Sequence, residues 1–329
     1  MSYVLLIVGL ILLVKGADFF VNGSSEIARY FRVPALVIGL TIVAFGTSAP
    51  EAAVSITAAI KGQNGIAVGN VLGSNLFNLL GVVGICALIK PMNVNKGVIF
   101  KEYPFMILSG AALLALGADT FLGDTGSNLI SRGDGIVLLL FFCVFLFMTI
   151  RTALFSRSEI QAHEIKATAE EHQEDGKKPK KISLPKSILF AALGLGGVVG
   201  GGQLVVNSAS DIALSFGISE TLVGLTIVAI GTSLPELVTS IVAARKGESD
   251  IAIGNVVGSN LFNIFFVLAA SATINPVSFS MESVIDSIIL IGVSALVYLF
   301  ILMRKSINRI EGGVMVALYA AYTAYIILR

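Results

Sequence analysis

Apolar residues in this chain do not alternate with polar ones; they run on for about twenty at a time, the length that carries a helix across a bilayer's hydrocarbon. Ten such runs stand out, at 3–21, 35–60, 66–89, 103–118, 134–154, 184–206, 219–244, 250–274, 282–302 and 312–328. Short polar turns separate them, with one exception. From Arg157 to Lys186 the chain holds Glu159, Glu164, Glu170, Glu171, Glu174, Asp175 and the basic run Lys177, Lys178, Lys180 and Lys181. That stretch reads as a solvated linker. Residues 3–14 have the density of a signal-peptide core, but no A-x-A site follows and the apolar run continues from Lys15 to Phe20, so a retained first span is expected.

A shift of 185 positions lays the first half of the chain on the second. From Gly39 to Asn78 against Gly224 to Asn263, 28 of 40 aligned positions are identical without a gap, and weaker matching reaches back to Val21-Asn22 and Val206-Asn207. The chain is internally duplicated. Each copy carries five runs, and an odd number makes the second copy enter the membrane in the opposite sense. The expected fold is therefore an all-α polytopic membrane protein of ten transmembrane helices in two inverted-topology five-helix repeats. The first repeat occupies 1–155, a charged linker 156–183 and the second repeat 184–329.

Charge sets the expected direction. If both termini lie outside the cell membrane, the loops on the cytoplasmic side carry Arg29 and Arg32; Lys90, Lys96 and Lys101; Arg151 with the linker cluster; Arg245 and Lys246; and Arg304, Lys305 and Arg309. Together these are 18 of the 22 Lys and Arg residues. The opposite loops hold little beyond Lys61 and Arg132, so the positive-inside rule favours outside termini and a cytoplasmic linker. Of 329 residues 55% are apolar and 13% charged, with a mean hydropathy of +0.90, and no basic face is left for nucleic acid. No protein partner is evident either; the expected surroundings are lipid and inorganic ions. Cys86 and Cys143 lie in apolar stretches without a CxxC or a nearby His and read as small buried hydrophobes. His163 and His172 fall among mixed linker charges and read as plain loop residues rather than a metal site.

The chemistry is concentrated in two hexapeptides, GTSAPE from Gly46 to Glu51 and GTSLPE from Gly231 to Glu236. Pro50 and Pro235 lack an amide hydrogen and predict a break about four residues upstream, which frees the carbonyls of Gly46 and Gly231. A carboxylate at mid-bilayer depth costs roughly 2.5 to 3.5 kcal/mol. Glu51 and Glu236 are therefore candidate site residues. On a helix, positions four apart share a face, which aligns Thr47, Glu51 and Ser55, and likewise Thr232, Glu236 and Ser240. The following runs, GNVLGSNLFN and GNVVGSNLFN, place Ser74 with Asn78 and Ser259 with Asn263. Gly69, Gly73, Gly254 and Gly258 allow the backbones to approach closely. Carboxylates, hydroxyls, amide oxygens and carbonyls, with no His or Cys among them, describe a site for hard cations such as calcium or sodium. Two carboxylates neutralise one divalent ion; left empty, they would repel each other and take up protons or monovalent cations. Competition between ion types at one site between inverted halves is what an antiporter requires.

Plainer explanations stand beside these. A membrane proline is often only a kink and a serine or threonine often bonds back to its own helix. Glu51 and Glu236 could be protonated groups that hold helices together. For Ser55, Ser240, Asn70, Asn75, Asn255 and Asn260, packing and capping explain the residue as well as ligation does. A cation channel with Glu51 and Glu236 at a constriction is a reading from another class, although a site between inverted halves of one chain is not a pore on an oligomer axis. Neither motif supplies a nucleophile with a base, so an enzyme is not expected, and no cofactor is implied.

With these motifs in view, the chain resembles the calcium/cation antiporter superfamily, and within it the bacterial and archaeal sodium/calcium exchanger branch. The resemblance covers nearly the whole chain. It implies four central cation sites, with calcium held by Glu51, Glu236 and the carbonyls of Thr47 and Thr232. Sodium would use the carbonyls of Ala44 and Ala229 with Ser48, Ser233, Ser74, Ser259, Asn78 and Asn263. Potassium-dependent members carry Asp where Asn263 stands, so the resemblance implies potassium independence. The GNATELI-like signature of calcium/proton exchangers is absent, which ranks proton coupling second, and the linker is too short for the regulatory calcium-binding domains of animal members. Members also move the first and sixth spans past the site, which fits the glycine-rich Gly196 to Gly202.

Overall fold

A computed structural model describes residues 1–120, 127–170, 183–217 and 229–328. In hydrocarbon only an internally bonded backbone is tolerated, so the apolar runs fold as helices. Helix α1 is Ser2–Phe31. The second run is bent by 50° between α2 (Ala35–Thr47) and α3 (Ala49–Ile60), and α4 (Gly65–Ile89) and α5 (Val98–Gly117) follow. Helix α6 is Arg132–Glu170 and α7 is Leu184–Ser215. A short turn, α8 (Ala229–Gly231), leads into α9 (Leu234–Lys246). Helices α10 (Ser249–Ile274), α11 (Met281–Arg304) and α12 (Arg309–Leu328) complete the chain. Among the described residues eight helices are long and apolar enough to cross a membrane, or nine if α2 and α3 form one span. The expected span 219–244 begins outside the described residues, as does Gly224 to Val228 of the repeat. So do linker residues 171–182, with His172, and the side chain of His163.

At the centre lie α4 and α10. Every residue of α10 from Ile251 to Phe262 is buried, because glycines let the neighbouring backbone press against it. A Cβ at Gly254 would lie 2.9 Å from the carbonyl oxygen of Leu36, and one at Gly258 would lie 2.5 Å from that of Leu40. Phe262 stacks on Phe45 of α2 with ring centroids 4.7 Å apart. Cys86 is buried in α4 as its surroundings predict, whereas Cys143 faces outward. The expectation for Cys143 is corrected: on an apolar helix such as α6 the outer face is apolar too, so hydropathy alone does not say which side of it is buried.

The connecting loops gather at two ends. At one, β1 (Met92–Asn93) pairs antiparallel with β4 (Ser306–Ile307), and Arg29 lies 3.7 Å from Glu248. At the other, β2 (Leu129–Ile130) pairs antiparallel with β3 (Val277–Ser278), and the Asn275 side-chain amide donates to the Ala59 carbonyl at 3.3 Å. Each two-stranded ribbon takes one strand from each half and ties the halves at both ends.

Helices α1 and α7 occupy corresponding places in the two halves and pack antiparallel, Gly9 lying against Gly201, Gly16 against Gly197 and Gly23 against Ala191. Glycines seven residues apart fall on one face of a helix, so this seam is backbone against backbone. A Cβ at Gly16 would lie 2.7 Å from the Gly197 carbonyl carbon and equally close to the Val198 nitrogen. Hydroxyl donors close both ends: Ser187 to Glu26 at 2.6 Å and Ser2 to Asp211 at 3.4 Å, two pairs that the 185-residue shift interchanges. From the core, Lys246 at the end of α9 reaches Asp18 at 2.6 Å and the Asn22 side-chain oxygen at 2.7 Å. The repeat places Gln203 and Asn207 at the positions of Asp18 and Asn22, and these two amides bond to each other at 2.8 Å.

Replacing Gly16 by Val forces the α1 and α7 backbones apart, so thermal unfolding of the purified protein in detergent shifts down by several degrees, as overpacking by 1–3 kcal/mol requires. The same melt leaves Gly196→Ala and Gly200→Ala at or above the parent temperature, because both glycines face outward with no described atom within 4 Å of a new Cβ.

Candidate functional site

The two hexapeptides break their helices in the same way. Ser48, between α2 and α3, has φ −82° and ψ 8°; Ser233, just before α9, has φ −94° and ψ 9°. Both breaks fall at the motif serine rather than four residues before the proline. Ser48 still donates its amide to the Ala44 carbonyl at 3.0 Å, so the helix runs on through Thr47. Pro50 and Pro235 then sit in the first turn of the next helix, where an amide hydrogen would have no helical partner anyway. Glu51 and Glu236 follow in that first turn, where the helix dipole favours a negative charge.

Both glutamates are completely buried, and each is held by the other half of the chain. The Ser48 hydroxyl donates to Glu236 Oε1 at 2.8 Å, and the Ser233 hydroxyl donates to Glu51 Oε1 at 2.8 Å. Ser259 adds a longer contact to the same Glu236 oxygen at 3.5 Å and reaches the Ala44 carbonyl at 3.4 Å. Thr232 and Thr47 stand beside Glu51 and Glu236 respectively. The second oxygen of each glutamate, Oε2, has no hydrogen-bond partner among the described residues. Nor do the Ser74 hydroxyl and the side-chain carbonyl oxygens of Asn78 and Asn263. Five buried oxygens without donors, two of them carboxylate, are what a site for a hard cation presents before the ion arrives.

Of the residues expected here from the sequence, Glu51 is joined to Ser233, Glu236 to Ser48 and Ser259, and Ser259 to Ala44, with Thr232 and Thr47 beside the two glutamates. Asn78 and Asn263 are joined to Asn260 and Asn75, and Ser74 is buried with no partner among the described residues. Ala229 lies in α8, one turn ahead of the break. The Thr47 hydroxyl has three acceptors within reach of its single hydrogen, the Val43 and Ala44 carbonyls at 3.1 and 3.3 Å and Asn255 Oδ1 at 3.0 Å.

The residues with two readings divide differently. Asn255 donates to the Ser240 hydroxyl at 3.0 Å and to the Glu236 carbonyl at 3.4 Å; Asn70 repeats this with Ser55 at 2.9 Å and the Glu51 carbonyl at 3.3 Å. These four hold the helix that carries each glutamate. Asn75 and Asn260 form a crossed pair, each donating its amide to the other's backbone carbonyl, at 3.2 and 3.3 Å. Their duplication at a spacing of 185 was the only sequence signal of that role. Asn78 and Asn263 lie in the first two residues of wide, π-helical turns at 77–82 and 263–268, a local form that hydropathy does not register. Among the described residues no group of three or more His, Cys, Asp or Glu side chains comes together, so the donor set is two carboxylates with neutral oxygens.

A helical membrane protein with a buried, duplicated pair of carboxylates at two helix breaks is a cation-handling protein in its architecture. The family model for the sodium/calcium exchanger protein matches residues 1–151 and 186–328, and the chain belongs to that family. The sodium/calcium exchanger MaX1 of Methanosarcina acetivorans is 32% identical over 98% of this chain and 97% of its own length. Inner membrane protein YrbG of Escherichia coli is 40% identical over 83% of this chain and 79% of its own. The solved structure of the sodium-calcium exchanger NCX_Mj soaked without Na+ and Ca2+ superimposes with a TM-score of 0.82 at 33% identity, covering 99% of this chain and 98% of that one.

Asn255→Ala removes three buried hydrogen bonds at once and lowers the melting temperature in detergent markedly, by about 2–3 kcal/mol of stability. Ser25→Ala, by contrast, deletes a buried hydroxyl that has no partner among the described residues and leaves the melt unchanged or slightly raised.

Proposed function

We propose that this chain exchanges sodium for calcium across a cell membrane by alternating access. One observation carries the reading: Glu51 and Glu236, both completely buried, each give one oxygen to a serine of the opposite half and leave the other without a hydrogen-bond partner among the described residues. Calcium is the ion that two carboxylates neutralise, held by Glu51, Glu236 and the carbonyls of Thr47 and Thr232. Sodium ions replace it at the surrounding neutral oxygens of Ala44, Ser48, Ser74, Asn78, Ala229, Ser233, Ser259 and Asn263. More than two sodium ions per calcium makes the exchange electrogenic, and the neutral Asn263 spares the site a need for potassium. The names of MaX1 and NCX_Mj, both sodium/calcium exchangers, support the choice of ions.

The same reading organises the chain as ten crossings in two inverted halves, 1–155 and 184–329, joined by a cytoplasmic linker at 156–183. Support comes from the antiparallel packing of α1 on α7 and from hydrogen bonds that the 185-residue shift interchanges. By the positive-inside rule the end that gathers β1, β4, Arg29 and Glu248 is the cytoplasmic one, since the loops carrying Lys90, Lys96, Arg304 and Lys305 meet there, and both termini then lie outside.

Proteoliposomes loaded with sodium and diluted into sodium-free buffer take up calcium-45, while vesicles loaded with potassium or choline do not. Uptake driven by a pH gradient and indifferent to sodium replaces this reading with calcium/proton exchange, and uptake that needs neither gradient indicates a channel. Glu51→Gln and Glu236→Gln keep the shape of the side chain and fold, yet each abolishes calcium uptake; retained uptake in both removes the carboxylates from the mechanism. Asn263→Asp adds a negative charge and changes the dependence on sodium and potassium more than the half-saturating calcium concentration, both read from the same flux assay.

A further inference from the structure

We infer that Asn75 and Asn260 are positioning residues that set which way Asn78 and Asn263 present their amides to the ions, an inference that rests on the cation-site reading above. The chain of constraint starts at the backbone. A carbonyl oxygen can only accept a hydrogen bond. Asn75 approaches the Asn260 carbonyl at 3.2 Å, so the atom it turns there has to be its NH2 group, and its own Oδ1 faces the other way. That Oδ1 accepts from the Asn263 NH2 at 3.1 Å, which leaves the Asn263 carbonyl oxygen as the atom presented to the site.

The second half mirrors the first. Asn260 turns its NH2 to the Asn75 carbonyl at 3.3 Å, with Met106 sulfur 3.6 Å from the same nitrogen, and its Oδ1 accepts from the Asn78 NH2 at 3.3 Å. The Asn78 carbonyl oxygen is left unbonded. All four asparagines are at most 2% exposed, so water does not compete for these bonds. An asparagine flipped by half a turn would aim two donors, not an acceptor, at a cation. A carboxylate has no such requirement, because its two oxygens are equivalent; neutral ligands at 78 and 263 need a device that carboxylates would not. The pairing also crosses between halves, Asn75 with Asn263 and Asn260 with Asn78, so the two halves set each other's ligands.

The test is the half-saturating sodium concentration for sodium-dependent calcium-45 flux in proteoliposomes, measured beside the maximal rate. Asn75→Ala and Asn260→Ala each raise it roughly tenfold, the scale of losing one hydrogen-bond-like contact to a charge, while the maximal rate stays within about twofold. The decisive result is pair-selective. Added to Asn263→Ala, Asn75→Ala raises the half-saturating concentration less than twofold further; added to Asn78→Ala, it keeps its full effect. Asn263→Asp also makes Asn75→Ala inconsequential for sodium. A packing role predicts equal effects in every background. If the alanine variants are not monodisperse in detergent, Asn75→Ser and Asn260→Ser carry the same expectation. Unchanged sodium dependence in the single variants, or additive effects in all pairs, overturns the assignment while leaving the site reading intact. If Asn78→Ala and Asn263→Ala themselves leave sodium dependence unchanged, the site reading fails and the positioning role with it.

Discussion

Two carboxylates buried without water need hydrogen bonds or counter-charge close at hand, and the architecture follows from meeting that need. Glu51 and Glu236 each receive their short hydrogen bond, at 2.8 Å, from a serine of the opposite half. Neither half can complete the site by itself. For the two serines to cross, each must lie at a break with the glutamate three residues beyond it, which is the geometry at Ser48 and Ser233. For the breaks to meet, α10 must press against α2 at the distance that Gly39, Gly254 and Gly258 permit. The proline, the serine and the glycines thus serve one requirement.

Around that centre the chain is joined in two manners. The core is interlocked through side chains: crossed asparagines, Asn255 linking Ser240 to Thr47, and a group of rings in which Phe262 stacks on both Phe45 and Phe266 at 4.7 and 4.9 Å. Such packing has discrete arrangements and resists small displacements. The α1 and α7 pair is different. Its seam is largely backbone on backbone, and its polar ties to the core include the contacts of Lys246 and Arg29.

Much of this was legible in the sequence because it rests on residue types that have few other uses in hydrocarbon. An intramembrane glutamate, repeated with its proline 185 residues later, points to the two breaks at which the structure buries a carboxylate, and the oxygen-bearing residues four apart mark a polar face. The bend in α2 and α3 followed from Pro50, although its position at Ser48 did not, since a proline tolerates the first helical turn and leaves the preceding residues free to stay helical. The roles of Asn75 and Asn260 were hidden for another reason: an asparagine that ligates an ion and one that orients a ligand have the same composition and the same spacing. Only the directions of their hydrogen bonds separate them. The short ribbons β1–β4 and β2–β3 were equally invisible, being two residues long and paired across nearly the whole chain.

Lys246 also bears on symmetry. If the chain works by the alternating access proposed above, two halves that match at 28 of 40 central positions would by themselves make its two access states nearly equal in energy. The tether of Lys246 to Asp18 and Asn22 has no equivalent in kind, because the repeat puts amides, Gln203 and Asn207, where the first half has a carboxylate and an amide. An exposed ion pair is a weak bond, worth at most about a factor of five in population and less as salt rises. Under that proposal, a factor of that size between two states otherwise balanced would decide which one the resting protein favours, and would tie that choice to ionic strength.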